Sequence, residues 1–186
     1  SSVPTPPLPL LETCRALGTT AAGTSVSNGA ALQLQGGITV GAEALSLNGG
    51  AASGQTGALV NVSGTNTYGG AVTVTSSSSI SAASGSVLNL TGGVVKNGTV
   101  ATFNGGGTIN VNTVAISGAS ANSDLVIDGT TVNVDVASTY NGPTFIRNSG
   151  TLNANVTDAL PTANGRTAVT FDGTGTSVLT LGAGLS

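Results

Sequence analysis

From Thr24 onward the chain is written in short bursts in which apolar residues recur at every second position, and most bursts end at Gly, Asn or Ser. Leu32–Gln33–Leu34, Leu45–Ser46–Leu47, Val72–Thr73–Val74, Ile109–Asn110–Val111 and Val132–Asn133–Val134 are typical. A period of two sends alternate side chains to opposite faces of an extended strand, here Val, Leu or Ile to one and Asn, Ser, Thr or Gln to the other. About seventeen such runs follow one another, mostly six to twelve residues apart. The punctuation agrees: Asn-Gly occurs at Asn28, Asn48, Asn97, Asn104, Asn141 and Asn164, and Asp-Gly at Asp128 and Asp172. These dipeptides tolerate positive φ and stop strands.

Many short strands fit a sandwich, a barrel or a solenoid. A sandwich core usually draws on large aromatics, and this chain has only Tyr68, Phe103, Tyr140, Phe145 and Phe171. Strands of three to five residues suit one face of a solenoid rung. Asn, Ser and Thr recur where stacking lets their side chains bond between rungs. The pattern therefore predicts an all-β fold, a right-handed parallel β-helix. At three strands per rung it has six or seven turns and, with strands about 4.8 Å apart, a length on the order of 30 Å. Asn-Gly is also a hairpin turn, so an antiparallel sandwich is the alternative. No strict short repeat is present. The expected core is Leu32, Leu34, Leu45, Leu47, Val72, Val74, Leu88, Leu90, Ile109, Val111, Val132, Val134, Leu179 and Leu181.

Residues 1–23 are different in texture. Ser1–Pro9 contains four prolines and is expected to be extended. Leu10–Leu17 has helical spacing, with Leu10, Leu11, Cys14 and Leu17 on one face. A helix so short needs a surface to dock on. Two units result: an N-terminal arm over 1–23, acting as cap or inter-subunit connector, and a solenoid over 24–186.

Composition narrows the function. Charged residues are 6% of the chain against about 25% in an ordinary domain. The four basic residues, Arg15, Lys96, Arg147 and Arg166, are scattered, so no stripe exists to neutralise phosphates and no nucleic-acid partner is expected. No apolar run reaches the roughly 20 residues of a membrane helix. With no His and one Cys, His-based catalytic arrangements and His/Cys metal sites are excluded, and no cofactor is expected. The acidic residues that could form a polysaccharide-cleaving cluster are Asp124, Asp128 and Asp135, but no Arg or Lys lies between Lys96 and Arg147 to complete it. They read as turn and surface carboxylates. An ice-binding array of stacked Thr-x-Thr would need the motif at every rung, and Thr73–Val74–Thr75 stands almost alone.

Two segments resemble the autotransporter-associated β-strand repeat. Asn66–Val74 (NTYGGAVTV) is similar to its first half, and Ser138–Ala154 (STYNGPTFIRNSGTLNA) to all of it; Ala159–Thr162 (ALPT) is similar to its continuation. Pro143 and Phe145–Ile146–Arg147 depart from the plain Thr/Val strand of that pattern. The resemblance implies a β-helical passenger of a large bacterial surface or secreted protein. No segment after residue 150 carries the aromatic girdles of an outer-membrane barrel. A barrel is expected in another part of a precursor, or the chain reaches the surface by another route.

Together these readings give an expected function: a non-enzymatic, extracellular structural element, a solenoid subunit or segment of a bacterial surface fibre. Its partner would be itself, stacked head to tail, or the rest of a longer passenger. An adhesin contacting surface glycans is the alternative, and a carbohydrate-active β-helix the weaker one. The residues expected to carry assembly are Pro4, Pro6, Pro7, Leu8, Pro9, Leu10, Leu11, Cys14 and Leu17 in the arm, with Val178, Leu179 and Leu181 in the last strand.

Overall fold

A computed structural model of the chain describes Leu17 and residues 21–118, 124–161 and 168–182. These residues hold nineteen short strands and no helix. The strands fall into three sheets, and each ladder between them is parallel. Sheet A is built from β1 (Thr24–Ser27), β4 (Leu45–Asn48), β7 (Val72–Ser76), β10 (Val94–Lys96) and β13 (Ile116–Ser117). Sheet B takes β2 (Leu32–Gln35), β5 (Leu59–Ser63), β8 (Ser78–Ala82), β11 (Ala101–Asn104), β14 (Leu125–Asp128), β16 (Thr144–Arg147) and β18 (Val169–Asp172). Sheet C takes β3 (Thr39–Val40), β6 (Thr65–Tyr68), β9 (Val87–Leu90), β12 (Thr108–Val111), β15 (Thr131–Val134), β17 (Thr151–Ala154) and β19 (Val178–Leu181). The chain visits A, B and C in turn. It is a parallel β-solenoid of about six turns.

The alternation read from the sequence becomes columns of like side chains. In sheet C, Leu88, Ile109, Val132 and Leu152 stand in register, and beside them Tyr68, Leu90, Val111, Val134 and Ala154. In sheet B, Ile80, Phe103, Ile127 and Ile146 form another column. All of these are buried. One contiguous apolar core results, lined from three sides, and eleven of the fourteen expected core residues are buried in it. Leu32 and Leu179 pack on that core while partly exposed. Leu181 departs from the expectation. Its register with Ala154 aims it inward, yet it is 59% exposed, because β19 is the last described strand of its sheet.

Rung length is uneven. Leu47 pairs with Val74, 27 residues on, whereas Ile127 pairs with Ile146, 19 residues on. The corners absorb the difference. At one of them Asn61 and Asn66, both fully buried, bond each other; Asn61 Nδ2 also donates to Ser86 Oγ (3.0 Å), and Asn66 Oδ1 accepts from the Ile38 amide (2.7 Å). Buried amides are tolerated because each finds partners one rung away. The sixth rung lacks a regular strand on face A, but the ladder continues: Thr139 N donates to Ile116 O and Asn141 N to Gly118 O, each at 2.9 Å.

Outside sheet C the same stacking makes a polar ladder. Asn89, Asn110, Asn133 and Asn153 are in register. Asn110 Nδ2 donates to Asn89 Oδ1 at 2.8 Å, Asn133 to Asn110 at 2.7 Å, and Asn153 to Asn133 at 2.7 Å. Thr67 takes the next position, accepting from Asn89 at 3.4 Å. On sequence grounds, exchange of Asn133 should be mild. The ladder changes that, since Asn133 bonds both neighbours.

Two substitutions in β15 test the geometry. Val134→Asp puts an unpaired charge into the core and is expected to abolish the cooperative unfolding transition. Asn133→Ala removes two side-chain bonds and should lower stability by about 1–2 kcal/mol in urea titration, rather than leave it unchanged.

Candidate functional site

The two ends of the solenoid are not alike. On the first rung the inward residues Val26, Leu34 and Val40 are covered, at 6%, 2% and 6% exposure. Leu17 packs against the same core. On the last described rung Phe171 follows Ile146 in its column and points inward, yet 54% of it is exposed. Leu181 is beside it in the same condition. A shallow depression lined by Phe171, Asp172, Gly173, Gly175, Thr176 and Ser177 opens there. Among the described residues β18 and β19 each have a strand neighbour on one side only, so their outer edges present backbone N–H and C=O groups.

Of the residues expected to carry assembly, Val178, Leu179 and Leu181 sit on this open end. Val178 belongs to the outward row of sheet C, in register with Thr151, while Leu179 follows Leu152 inward. Leu17, which precedes β1 in the chain, packs against the core. Pro4, Pro6, Pro7, Leu8, Pro9, Leu10, Leu11 and Cys14 lie outside the described residues. Phe171 was missed by sequence reasoning. The signal was present: Val169–Thr170–Phe171 alternates like the other strands.

The acidic trio does not converge on one site. Asp124 precedes β14, Asp128 closes it, and Asp135 follows β15. Asp128 accepts from Asn148 Nδ2 (2.7 Å) and faces Arg147 Nε at 3.7 Å. Asp135 accepts from Asn155 Nδ2 (2.6 Å). The basic partner judged missing for Asp128 is therefore supplied by register, since Arg147 sits one rung above it. Both partners are about one-third exposed, so this pair contributes little to stability. Among the described residues no group of three or more Asp, Glu, His or Cys side chains could hold a metal.

Lys96 is the chemical surprise. It is fully buried, in the column that begins Val26, Leu47, Val74. Extending the ladder from Val95 and Ser117 puts Gly118 above it, a residue with φ of 129° and no side chain. The lysine stem occupies that place in the stack, and its ammonium reaches two rungs up. It donates to Asn141 O (3.4 Å) and lies 4.5 Å from the centre of the Tyr140 ring, a cation–π contact. Burial pushes its pKa down from 10.5 to about 8, partly offset by the Asp124 charge. Burial likewise pushes Tyr140 up to about 12, against the hydrogen bond its hydroxyl makes with Thr144 (2.7 Å). Burial, with Glu43 adding to it, pushes Tyr68 up to about 12.

The geometry defines a class: a three-sheeted parallel β-solenoid with one covered end, one open end, and outer faces that are mostly uncharged, with Asp128, Arg147 and Asp172 in one row of sheet B. No protein-family model, no curated protein and no solved structure matches the chain.

The buried lysine gives a pH signature. Folded Lys96 loses its proton near pH 8 and the unfolded chain loses it near 10.5, so between these values the unfolded state binds more protons. Stability must then rise with pH across that window, by at most about 1.4 kcal/mol per pH unit. From pH 10 upward the two tyrosines act in the opposite sense, since their folded forms keep protons that the unfolded chain releases. Lys96→Met is expected to raise the urea midpoint at pH 7 and to remove the rise between pH 8 and 10. A midpoint that falls with pH in the parent protein would contradict the assignment.

Proposed function

We propose that this chain is an extracellular structural element, a solenoid subunit or segment of a bacterial surface fibre, and not an enzyme. The observation that carries the reading is the open end: inward-facing Phe171 and Leu181 are 54% and 59% exposed above two free sheet edges. Apolar core and unsatisfied ladder together favour continuation of the stack by another strand layer. That layer is either the next stretch of a longer passenger or a second copy. For the second case, residues 1–17 of the next copy bridge the junction, with Leu8, Leu10 and Leu11 as the apolar anchors. Such a contact is heterologous and need not close, so it propagates as a filament. The uncharged faces suit a stalk that must resist swelling by self-repulsion.

The short NTYGGAVTV and STYNGPTFIRNSGTLNA segments support a passenger related to the autotransporter-associated repeat. In the fold, Tyr68 and Tyr140 of those segments are both fully buried, and Gly69 and Gly70 run so close to the rung below that a Cβ at Gly70 would overlap the Glu43 backbone. The motif thus has a packing reason to exist in a solenoid. An adhesin is the second reading; among the described strands Phe145 on sheet B is the one outward aromatic, and a single ring is a poor platform for sugar stacking.

Electron microscopy and sedimentation of the purified chain test the subunit form. Filaments with an axial repeat of about 30 Å, roughly six strand spacings, are expected. Phe171→Asp with Leu181→Asp, and separately removal of residues 1–17, should leave folded monomers. A parent protein that stays monomeric at high concentration overturns the subunit and leaves the segment.

A further inference from the structure

The outer face of sheet C carries a second regular array beside the asparagine ladder. Its first row is Thr65, Val87, Thr108, Thr131, Thr151 and Val178, one residue per rung in continuous register. The second row, two residues along each strand, is Thr67, Asn89, Asn110, Asn133, Asn153 and Thr180. Four of the six rungs therefore read Thr-x-Asn or Thr-x-Thr. The rows repeat about every 4.8 Å along the solenoid and lie about 6.6 Å apart across it.

Three features set this face apart. Its strands contain no charged residue, whereas the outer side of sheet B bears Asp128, Arg147 and Asp172. Its ladders run without a register shift, while sheet A is shifted between β4 and β7 and sheet B between β2 and β5. Its asparagines are held in one orientation by bonds to each other. An asparagine amide has two N–H donors and an oxygen with two lone pairs. The ladder uses one donor and one lone pair at each interior rung. One donor and one lone pair remain to meet water, at the same place on each rung, next to a threonine hydroxyl and methyl.

We propose that this face binds ice. The spacing along and across the array is close to that of oxygen atoms on a prism face of hexagonal ice. A surface of fixed amides, hydroxyls and methyls can hold its hydration water in that pattern, and the held layer then joins a growing crystal. Charges would orient water otherwise, and the strands of this face carry none; Asp135, just past β15 at its margin, accepts from Asn155 Nδ2 (2.6 Å). A sugar polymer would ask for aromatic platforms, and its strands place none outward. The array reaches β19 on the open end, but it faces outward from sheet C rather than along the axis, so end-to-end assembly leaves its interior rungs free. Thr73–Val74–Thr75 lies on sheet A, whereas Thr65–Asn66–Thr67 opens the array on sheet C. The array uses Asn in the second column.

The test uses the full chain and two charge insertions of equal size. Thr131→Lys places a lysine at the middle of the array. Thr102→Lys places one on the outer face of sheet B, in register with Ser79 and Val126. Both positions are half-buried and face outward, so both variants should fold, as circular dichroism and thermal melting will verify. The parent and Thr102→Lys are expected to adsorb to ice, to produce a gap between melting and freezing points, and to shape crystals. Thr131→Lys should lose all three. A parent protein without ice adsorption overturns the proposal, as does equal loss in both variants. Retention on crystalline cellulose or chitin that only Thr131→Lys abolishes, without ice adsorption, replaces ice by a sugar polymer. Concentration-dependent dimerisation that only Thr131→Lys abolishes replaces it by a second copy.

Discussion

Every strand in this protein satisfies its backbone by pairing, in parallel and mostly without slip, with a strand one rung away. That constraint organises the rest. A side chain on one rung stands directly over its counterpart on the next, so any feature of the local sequence is multiplied along the axis. Alternation within a strand of four residues becomes a column of buried Val, Leu and Ile on the inside. On the outside it becomes rows of Thr and Asn. The narrow interior has room for two inward residues per strand, and this explains why so little aromatic mass is needed to fill it.

Stacking also explains how the chain tolerates polar and charged groups in its core. Asn61, Asn66 and Thr144 are fully buried, but each has partners on an adjacent rung or a neighbouring corner. Lys96 is accommodated by a vacancy in its own column, where Gly118 supplies no side chain, and its head is received by Asn141 and Tyr140. A Cβ at Gly118 would sit 1.9 Å from the Lys96 carbonyl oxygen, so the glycine is required by backbone approach as well as by φ. The charge lies where the regular face A gives way to irregular backbone at Thr139–Asn141. Its desolvation lowers stability at neutral pH, yet it ties the fourth rung to the sixth.

Strand identity and inward face were legible from alternation alone, and the choice of a solenoid over a sandwich from short strands, scarce aromatics and recurring Asn, Ser and Thr. Register between rungs was not. Rungs differ in length by as much as nine residues, because corners such as 49–58 are longer than others. Without register, Arg147 could not be placed against Asp128, nor Gly118 above Lys96. The asparagine ladder was hidden for the same reason, although Thr108–Ile109–Asn110, Thr131–Val132–Asn133 and Thr151–Leu152–Asn153 stand in the sequence as a repeated triplet. Leu181 was assigned to the core from its strand pattern. Its exposure reflects position along the axis, which a local pattern does not encode.

In-register stacking is most directly tested by NMR of the side-chain amides of Asn89, Asn110, Asn133 and Asn153 in the isotope-labelled chain. The stacked solenoid requires four slowly exchanging amide pairs, linked in sequence by nuclear Overhauser contacts from Asn89 to Asn153, with backbone contacts joining Thr108 to Thr131 and Thr131 to Thr151. Fast-exchanging side-chain amides, together with backbone contacts in the cross-strand pattern of antiparallel hairpins, would contradict it.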